Sequence, residues 1–521
     1  MKKTSMNSEQ RKEYKRIQRQ KKRYLEKQKT EEGKESKKRN IFGNILIVLH
    51  LILSIIFFGT MFWLNIFSIS HYIIIGSVLL VLWLIGLFSQ IKRKKYGVTG
   101  KMYIIFIMLV IALFTSYIVK MSGAFDVMTG KNVKIDTMVV AVMKDDPAED
   151  IYDAYDYKFG LQHKIKGEDV DDTVDHINEM LEMKIKTKDY QDIGKQVKGL
   201  HDGEVQAIIF NEGYKDVLEE QVKGFSEKIK IIYRYNIKTK MDGMTNDRQV
   251  KTKPFSVYLS GIDVYGDIST NSRSDVNIIA TVNPKTHQIL LITTPRDYYV
   301  EIPGISKGEK DKLTHAGLYG VDASIRTLSE LYDMEIPFFA RVNFTSLIEI
   351  VDELGGVDVY SDMSFKTGWE SGKKINVIQG MNHFNGEQAL AFSRERKHIP
   401  GGDNQRGQHQ QAVITAMIKK IVSPSMLLRA NGIIDSVSGN VETNMSREQL
   451  QSLIKTQIRK GGAWNITSVS AEGEGMKGIC YSAPKQELYI TKPDYESVEM
   501  IKDLVNKVES GEILEDSEIA E

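Results

Sequence analysis

Residues 272–297 read SRSDVNIIATVNPKTHQILLITTPRD. Two apolar runs, VNIIATV and ILLITT, flank NPKTHQ, a segment with turn-forming Asn and Pro. Their length and β-branched content predict two core strands joined as a hairpin. Antiparallel pairing centred between Lys285 and Thr286 places Asp275 near Arg296 and Ser274 near Asp297. Arg273, Asp275, Arg296 and Asp297 then converge at the open end. The preceding strand, FSVYLSGID, ends in Asp263, which joins them if that strand pairs with the hairpin. Core strands rarely need charge at both mouths. Two readings fit: structural Arg–Asp salt bridges, or a site in which carboxylates hold a divalent cation and guanidinium forks hold phosphate oxygens.

A second cluster lies in AFSRERKHIPGGDNQRGQHQQAVITAMIKKI. It supplies Arg394 and Arg396, a Gly-Gly loop, and a helix predicted to be capped by Asp403. Arg406 and Gln410, four apart, share a face that continues through Val413, Met417 and Ile421 toward the core. A polar start to a core-facing stripe reads as the floor of a pocket or as a solvated basic helix end. Between the clusters, DKLTHAG offers Lys312 and His315.

The 521 residues allow two or three domains. With 70 Lys+Arg against 68 Asp+Glu, net charge gives no argument for nucleic acid. The first forty residues, with 16 basic and 6 acidic side chains, read as a disordered basic tail. The single Cys480 excludes an intramolecular disulfide and any multi-cysteine metal site, and suits an exported Gram-positive protein. Apolar runs at Ile41–Trp63, 72–89 and 102–119 are each near the roughly 20 residues needed to span a bilayer. Basic flanks, KKRN before the first run and IKRKKYGVTGK between the last two, put the tail and that loop in the cytoplasm. Everything after about Lys120 is then outside the cell. Membrane lipid is the expected partner of the basic tail.

The exported part reads as a small α/β domain over 123–250, a polar linker MDGMTNDRQVKTKPF, and a larger α/β domain over 255–485. In the small domain, DDPAED and DVDD read as solvated charge rather than a cation site. Residues 486–521 read as a separate C-terminal segment with an acidic tail. Outside the membrane no ATP is available, so phosphate chemistry there needs a substrate that arrives activated. A membrane-anchored enzyme points to a lipid-linked one. Walker, GxSxG and HExxH motifs do not occur in the sequence.

In order, GIDVYG, SRSDVNII, TPRDYYVEIP, DKLTHAG, VNFTSLIEIVDELGGVDV, GEQALAFSRERK and DNQRGQHQQ resemble the LytR–CpsA–Psr family of Gram-positive cell-envelope enzymes. Three spans and a preceding small domain look like its capsule-associated branch. The resemblance implies a central mixed sheet flanked by helices, and a phosphotransferase. Such an enzyme moves a capsular or anionic glycopolymer from a polyprenyl-pyrophosphate carrier to a peptidoglycan sugar hydroxyl. It further implies that Asp263 and Asp275 hold Mg²⁺ (or Mn²⁺). Arg273, Arg296, Arg394, Arg396, Arg406 and Gln410 would bind pyrophosphate oxygens, and Asp297 and Asp403 would orient the arginines. The prenyl tail is expected between the sheet and the helices of this domain. Asp297 is a candidate general base only if no arginine holds it; substrate- or metal-assisted proton transfer fits equally. An insert, KTGWESGKK, departs from the family pattern on the acceptor side. Capsule-assembly kinase or polymerase proteins are further expected partners. The alternative is a membrane-bound regulator, a transcriptional attenuator of envelope or capsule synthesis.

Overall fold

The computed structural model describes residues 8–64, 69–129, 133–240, 248–262, 271–400, 402–421, 423 and 441–515. It divides into two units, residues 1–120 and 121–521.

In the first unit, α1 (Ser8–Leu64), α2 (Ile69–Ile91) and α3 (Arg93–Thr129) contain three stretches long and apolar enough to cross a membrane: Ile41–Trp63, Ile69–Ile91 and Gly97–Val119. Contrary to the disordered tail expected over 1–40, residues 8–40 belong to α1. Lys, Arg, Glu and Gln are good helix formers, and the first span supplies a nucleus on which the polar helix extends.

The second unit opens with a five-stranded mixed sheet. Its elements are β1 (Val133–Met143), β2 (Lys158–Gln162), α4 (Gly167–Leu181), β3 (Lys186–Tyr190), α5 (Ile193–His201), β4 (Ala207–Asn211), α6 (Lys215–Gln221), α7 (Phe225–Lys228) and β5 (Ile229–Lys240), in strand order β3-β2-β4-β1-β5. Alternate residues of β1 feed cores on the two faces: Val139 and Ala141 on one, Met138, Val140 and Val142 on the other.

The larger domain follows with β6 (Phe255–Ile262), β7 (Ser274–Asn283), β8 (Gln288–Thr293), β9 (Tyr299–Glu301), β10 (Lys310–Lys312), α8 (Leu313–Ala316) and α9 (Val321–Tyr332). Next come β11 (Phe338–Asn343), α10 (Phe344–Glu353), β12 (Val357–Ser361), β13 (Phe365–Lys366), β14 (Asn376–Val377), β15 (Gly380–Phe384), α11 (Gly386–Arg394) and α12 (Gly402–Ile421). It ends with β16 (Val441–Thr443), α13 (Arg447–Lys460), β17 (Asn465–Ser470), β18 (Gly473–Cys480), β19 (Ala483–Pro493) and α14 (Tyr495–Ser510). Six strands form a mixed sheet in the order β16-β11-β6-β7-β8-β17, with β6–β11 and β8–β17 parallel.

The hairpin has the expected register. Asn283 faces Gln288 and Ile278 faces Thr293, a pairing centred between Lys285 and Thr286. The Asn283 side chain accepts from Lys285 N (3.0 Å), and His287 takes the left-handed conformation (φ 56°) that turns the chain back. Both strands carry continuous apolar runs at their centres, Ile278–Ala280 and Ile289–Ile292, because both faces are covered there. Ile279, Leu290 and Ile292 pack with Leu328 of α9 and with Ile501, Leu504 and Val508 of α14. Ile278, Ala280 and Leu291 pack toward Ile414 and Ile418 of α12. The boundary expected at 485 therefore falls inside the domain. β19 and α14 are integral to it, and burial continues to Leu514.

Candidate active site

The hairpin's open end, α11 and the start of α12 surround a cavity of about 310 Å³. Arg273, Asp275, Arg296, Arg394, Arg396, Arg406 and Gln410 all line it, so seven of the predicted residues meet in one place. Ile262, Val276, Val342, Leu347 and Leu390 form an apolar wall.

Asp275 is the hub. Being one of the first residues of β7, it sits across from Arg296, which follows β8. Arg296 Nη1 donates to Asp275 Oδ2 at 2.8 Å, and Thr314 Oγ1 donates to Oδ1 at 3.1 Å. Burial alone would raise the Asp275 carboxyl, but the guanidiniums of Arg296, Arg273 and Arg406 outweigh it and hold the group below its ordinary range. Asp275 is thus an ionised hard-oxygen donor on the cavity wall, which fits one ligand of a divalent cation. Asp263, the other expected ligand, lies outside the described residues. Among the described residues, no group of three His, Cys, Asp or Glu side chains could hold a metal ion.

The second cluster is built by two helices. The capping box at Asn385 starts α11, which delivers Arg394 at its end, with the guanidinium 4.1 Å from the Phe344 ring. Arg406 and Gln410, one turn apart on α12, are both buried, and Gln410 Nε2 lies 3.4 Å from Ser393 O. The pocket-floor reading holds over the solvated helix end. The helix starts at Gly402, one residue before the expected cap; the Asp403 side chain is outside the described residues.

Asp297 is placed differently from expectation. It is buried beside the cavity rather than lining it, with Lys312 Nζ 3.3 Å from Oδ1 and Arg296 Nε 3.6 Å from Oδ2. Its contact with Arg296 is an ion pair at 3.6 Å. The condition for a general base, freedom from arginine, is not met. His315 is fully buried against Asp311 (2.7 Å) and Ser482 (3.0 Å), a structural role.

Besides Glu370 of the KTGWESGKK insert, two acidic residues that line the cavity escape the sequence reading. Glu395, between Arg394 and Arg396, accepts from the backbone N–H of Gly368 (2.7 Å), Arg396 (2.9 Å), Lys397 (2.9 Å) and His398 (3.1 Å), and from Ser371 Oγ (3.1 Å). Burial would raise it; these hydrogen bonds bring it down to about 2. It fastens both the two-arginine loop and the KTGWESGKK insert. The other is Glu220, from α6 of the small domain, which also lines the cavity. A lone acid among SRERKH, and a D-x-x-x-E spacing in KDVLEE, are the only local signals for them.

The same stretch of chain has recognisable relatives. It is 36% identical over 246 residues to the polyisoprenyl-teichoic acid–peptidoglycan teichoic acid transferase TagU of Bacillus cereus (strain AH820), covering 46% of this chain and 78% of that protein. Its counterpart in Oceanobacillus iheyensis is 34% identical over 236 residues, covering 43% and 70%. The crystal structure of B. subtilis TagV is matched over 51% of this chain and 100% of that one, at 27% identity and a TM-score of 0.43. The LytR_cpsA_psr family model matches residues 219–493, more than half the chain and all of the cavity's walls, and the chain belongs to that family.

Proposed function

We propose that this chain is a phosphotransferase that attaches a glycopolymer, capsular or otherwise anionic, to peptidoglycan in a Gram-positive envelope. The observation that carries the reading is one cavity into which Arg273, Arg296, Arg394, Arg396 and Arg406 all converge around an ionised Asp275. Named relatives that act on polyisoprenyl-linked teichoic acid and peptidoglycan support it.

In this reading the pyrophosphate of a polyprenyl-linked donor lies among the guanidiniums, and the start of its tail lies on the wall of Val276, Val342, Leu347 and Leu390. A peptidoglycan hydroxyl attacks the phosphorus that carries the glycan. The bond to the bridging oxygen breaks, and polyprenyl phosphate departs. Charge builds on the equatorial and leaving oxygens, and fixed guanidiniums stabilise it without reorganising. Mg²⁺ (or Mn²⁺), held by Asp275 together with Asp263, would neutralise further pyrophosphate charge; Mg²⁺ commonly uses one or two carboxylates and completes its shell with phosphate and water. Among the described residues, each carboxylate lining the cavity is already engaged. Glu220 pairs with Arg273, Asp275 with Arg296, Glu370 with Lys397, and Glu395 with backbone N–H groups. The basic flanks of the spans support a position for this domain outside the cell, where peptidoglycan is. A purely regulatory role would leave the arginine-lined cavity without a purpose.

Deleting the gene in a strain without a paralogue should release finished glycopolymer into the medium while synthesis continues. Full retention on the wall would contradict the reading.

A further inference from the structure

The small domain does more than precede the large one. Helix α6 turns Val217 and Leu218 into the small domain's core, and Leu318 of the large domain joins that same core. The helix is thereby fixed against the catalytic domain. Asp216 and Glu220, four apart, share another face. Asp216 Oδ2 accepts from Arg273 Nη2 at 2.8 Å, and Glu220 Oε1 accepts from Arg273 Nη1 at 3.0 Å. The second oxygen of Glu220 accepts from Lys312 Nζ at 3.2 Å, and the same ammonium reaches Asp297.

A guanidinium has five N–H donors. The two carboxylates take one from each Nη, leaving a second N–H on each and the Nε–H; among the described residues Nε has no hydrogen-bond partner. Arg273 is thus held at its far end by one domain while it lines the cavity of the other. Orienting a half-buried arginine before the substrate arrives lowers the entropy lost when it grips a phosphate.

We infer that Asp216 and Glu220 are positioning residues of the active site, so that the small domain completes the pyrophosphate-binding wall by orienting Arg273. This rests on the phosphotransferase reading. A competing possibility has the opposite sign. Were Glu220 a plug that takes the place of a phosphate oxygen, removing its charge would strengthen donor binding.

The test uses the full chain in lipid vesicles with a polyprenyl-pyrophosphate-linked glycan, comparing wild type, the double variant Asp216→Asn/Glu220→Gln, and Asp192→Asn. Asp192 makes a separate charged contact between the domains, with Lys485 (3.3 Å), and Asn retains its cap on α5. Loss of orientation should raise the donor KM roughly tenfold with kcat nearly unchanged, the signature of lost uniform binding. The dissociation constant for polyprenyl phosphate should rise in parallel, and restoring Glu220 alone should recover most of the loss. Asp192→Asn should behave as wild type. An unchanged KM, tighter binding in the double variant, or an equal defect in Asp192→Asn overturns the inference. A wild-type chain that transfers nothing sinks the phosphotransferase reading instead. Thermal unfolding of each variant separates misfolding from lost orientation; if the double variant is unfolded, the single Glu220→Gln carries the comparison.

Discussion

Replacing Arg296 by Ala should reduce glycopolymer transfer about 10²–10³-fold, the usual cost of removing a preorganised donor from a developing oxyanion. Two effects combine. The guanidinium that would face the pyrophosphate is lost, and Asp275, whose Oδ2 it holds at 2.8 Å, is left in a buried site without its nearest cation. Asp275→Ala should be comparably damaging for the converse reason: Arg296 loses its orienting carboxylate, and the proposed cation would lose a ligand. Arg296→Lys should rescue little, because an ammonium lacks the planar fork. In cells these variants should fold, insert and release polymer into the medium. Wild-type wall attachment by Arg296→Ala, in a strain without a paralogue, would remove Arg296 from the site.

Glu395→Gln is the second large effect, through structure rather than charge on the substrate. The wild-type carboxylate satisfies four backbone N–H groups and one hydroxyl. An amide keeps one acceptor oxygen but turns an NH₂ toward donors, so buried N–H groups lose their partner at about 1–3 kcal/mol. Arg396 shares the freed loop, so transfer should fall with stability. The pH dependence gives a separate check. Glu395 is lowered from 4.5 to about 2 in the folded protein, so the unfolded chain binds its proton more readily. Its contribution is therefore full above about 4.5 and disappears as the pH falls toward 2. Thermal unfolding of wild type should weaken across that acid window, and the Glu395→Gln variant should weaken less. Parallel curves would show that Glu395 is not held in its ionised form.

Much of the site is legible in the sequence because it depends on local geometry. A hairpin's turn fixes its register, so the pairing of Asp275 with Arg296 follows from the position of NPKTHQ alone. Helical spacing brings Arg406 and Gln410 to one face. Asp216 and Glu220 are different. They reach Arg273 from another domain more than fifty residues upstream, and no periodicity links positions joined only by tertiary packing. Asp297 likewise looks available in the sequence because the fold, not the spacing, brings Lys312 beside it. The boundary expected at 485 falls short even though Val498, Ile501, Val505 and Val508 form an apolar stripe at helical spacing, the mark of a helix packed on a sheet.

The central claim is that a phosphoglycosyl group leaves a polyprenyl carrier at this cavity. Its most direct test gives the full chain in vesicles a polyprenyl-pyrophosphate-linked glycopolymer and a peptidoglycan oligosaccharide, and identifies both products. The expected products are a phosphodiester between polymer and peptidoglycan sugar and one polyprenyl phosphate released per linkage. Release of polyprenyl pyrophosphate with a glycosidic linkage, or no linkage from a folded wild-type chain, would contradict it.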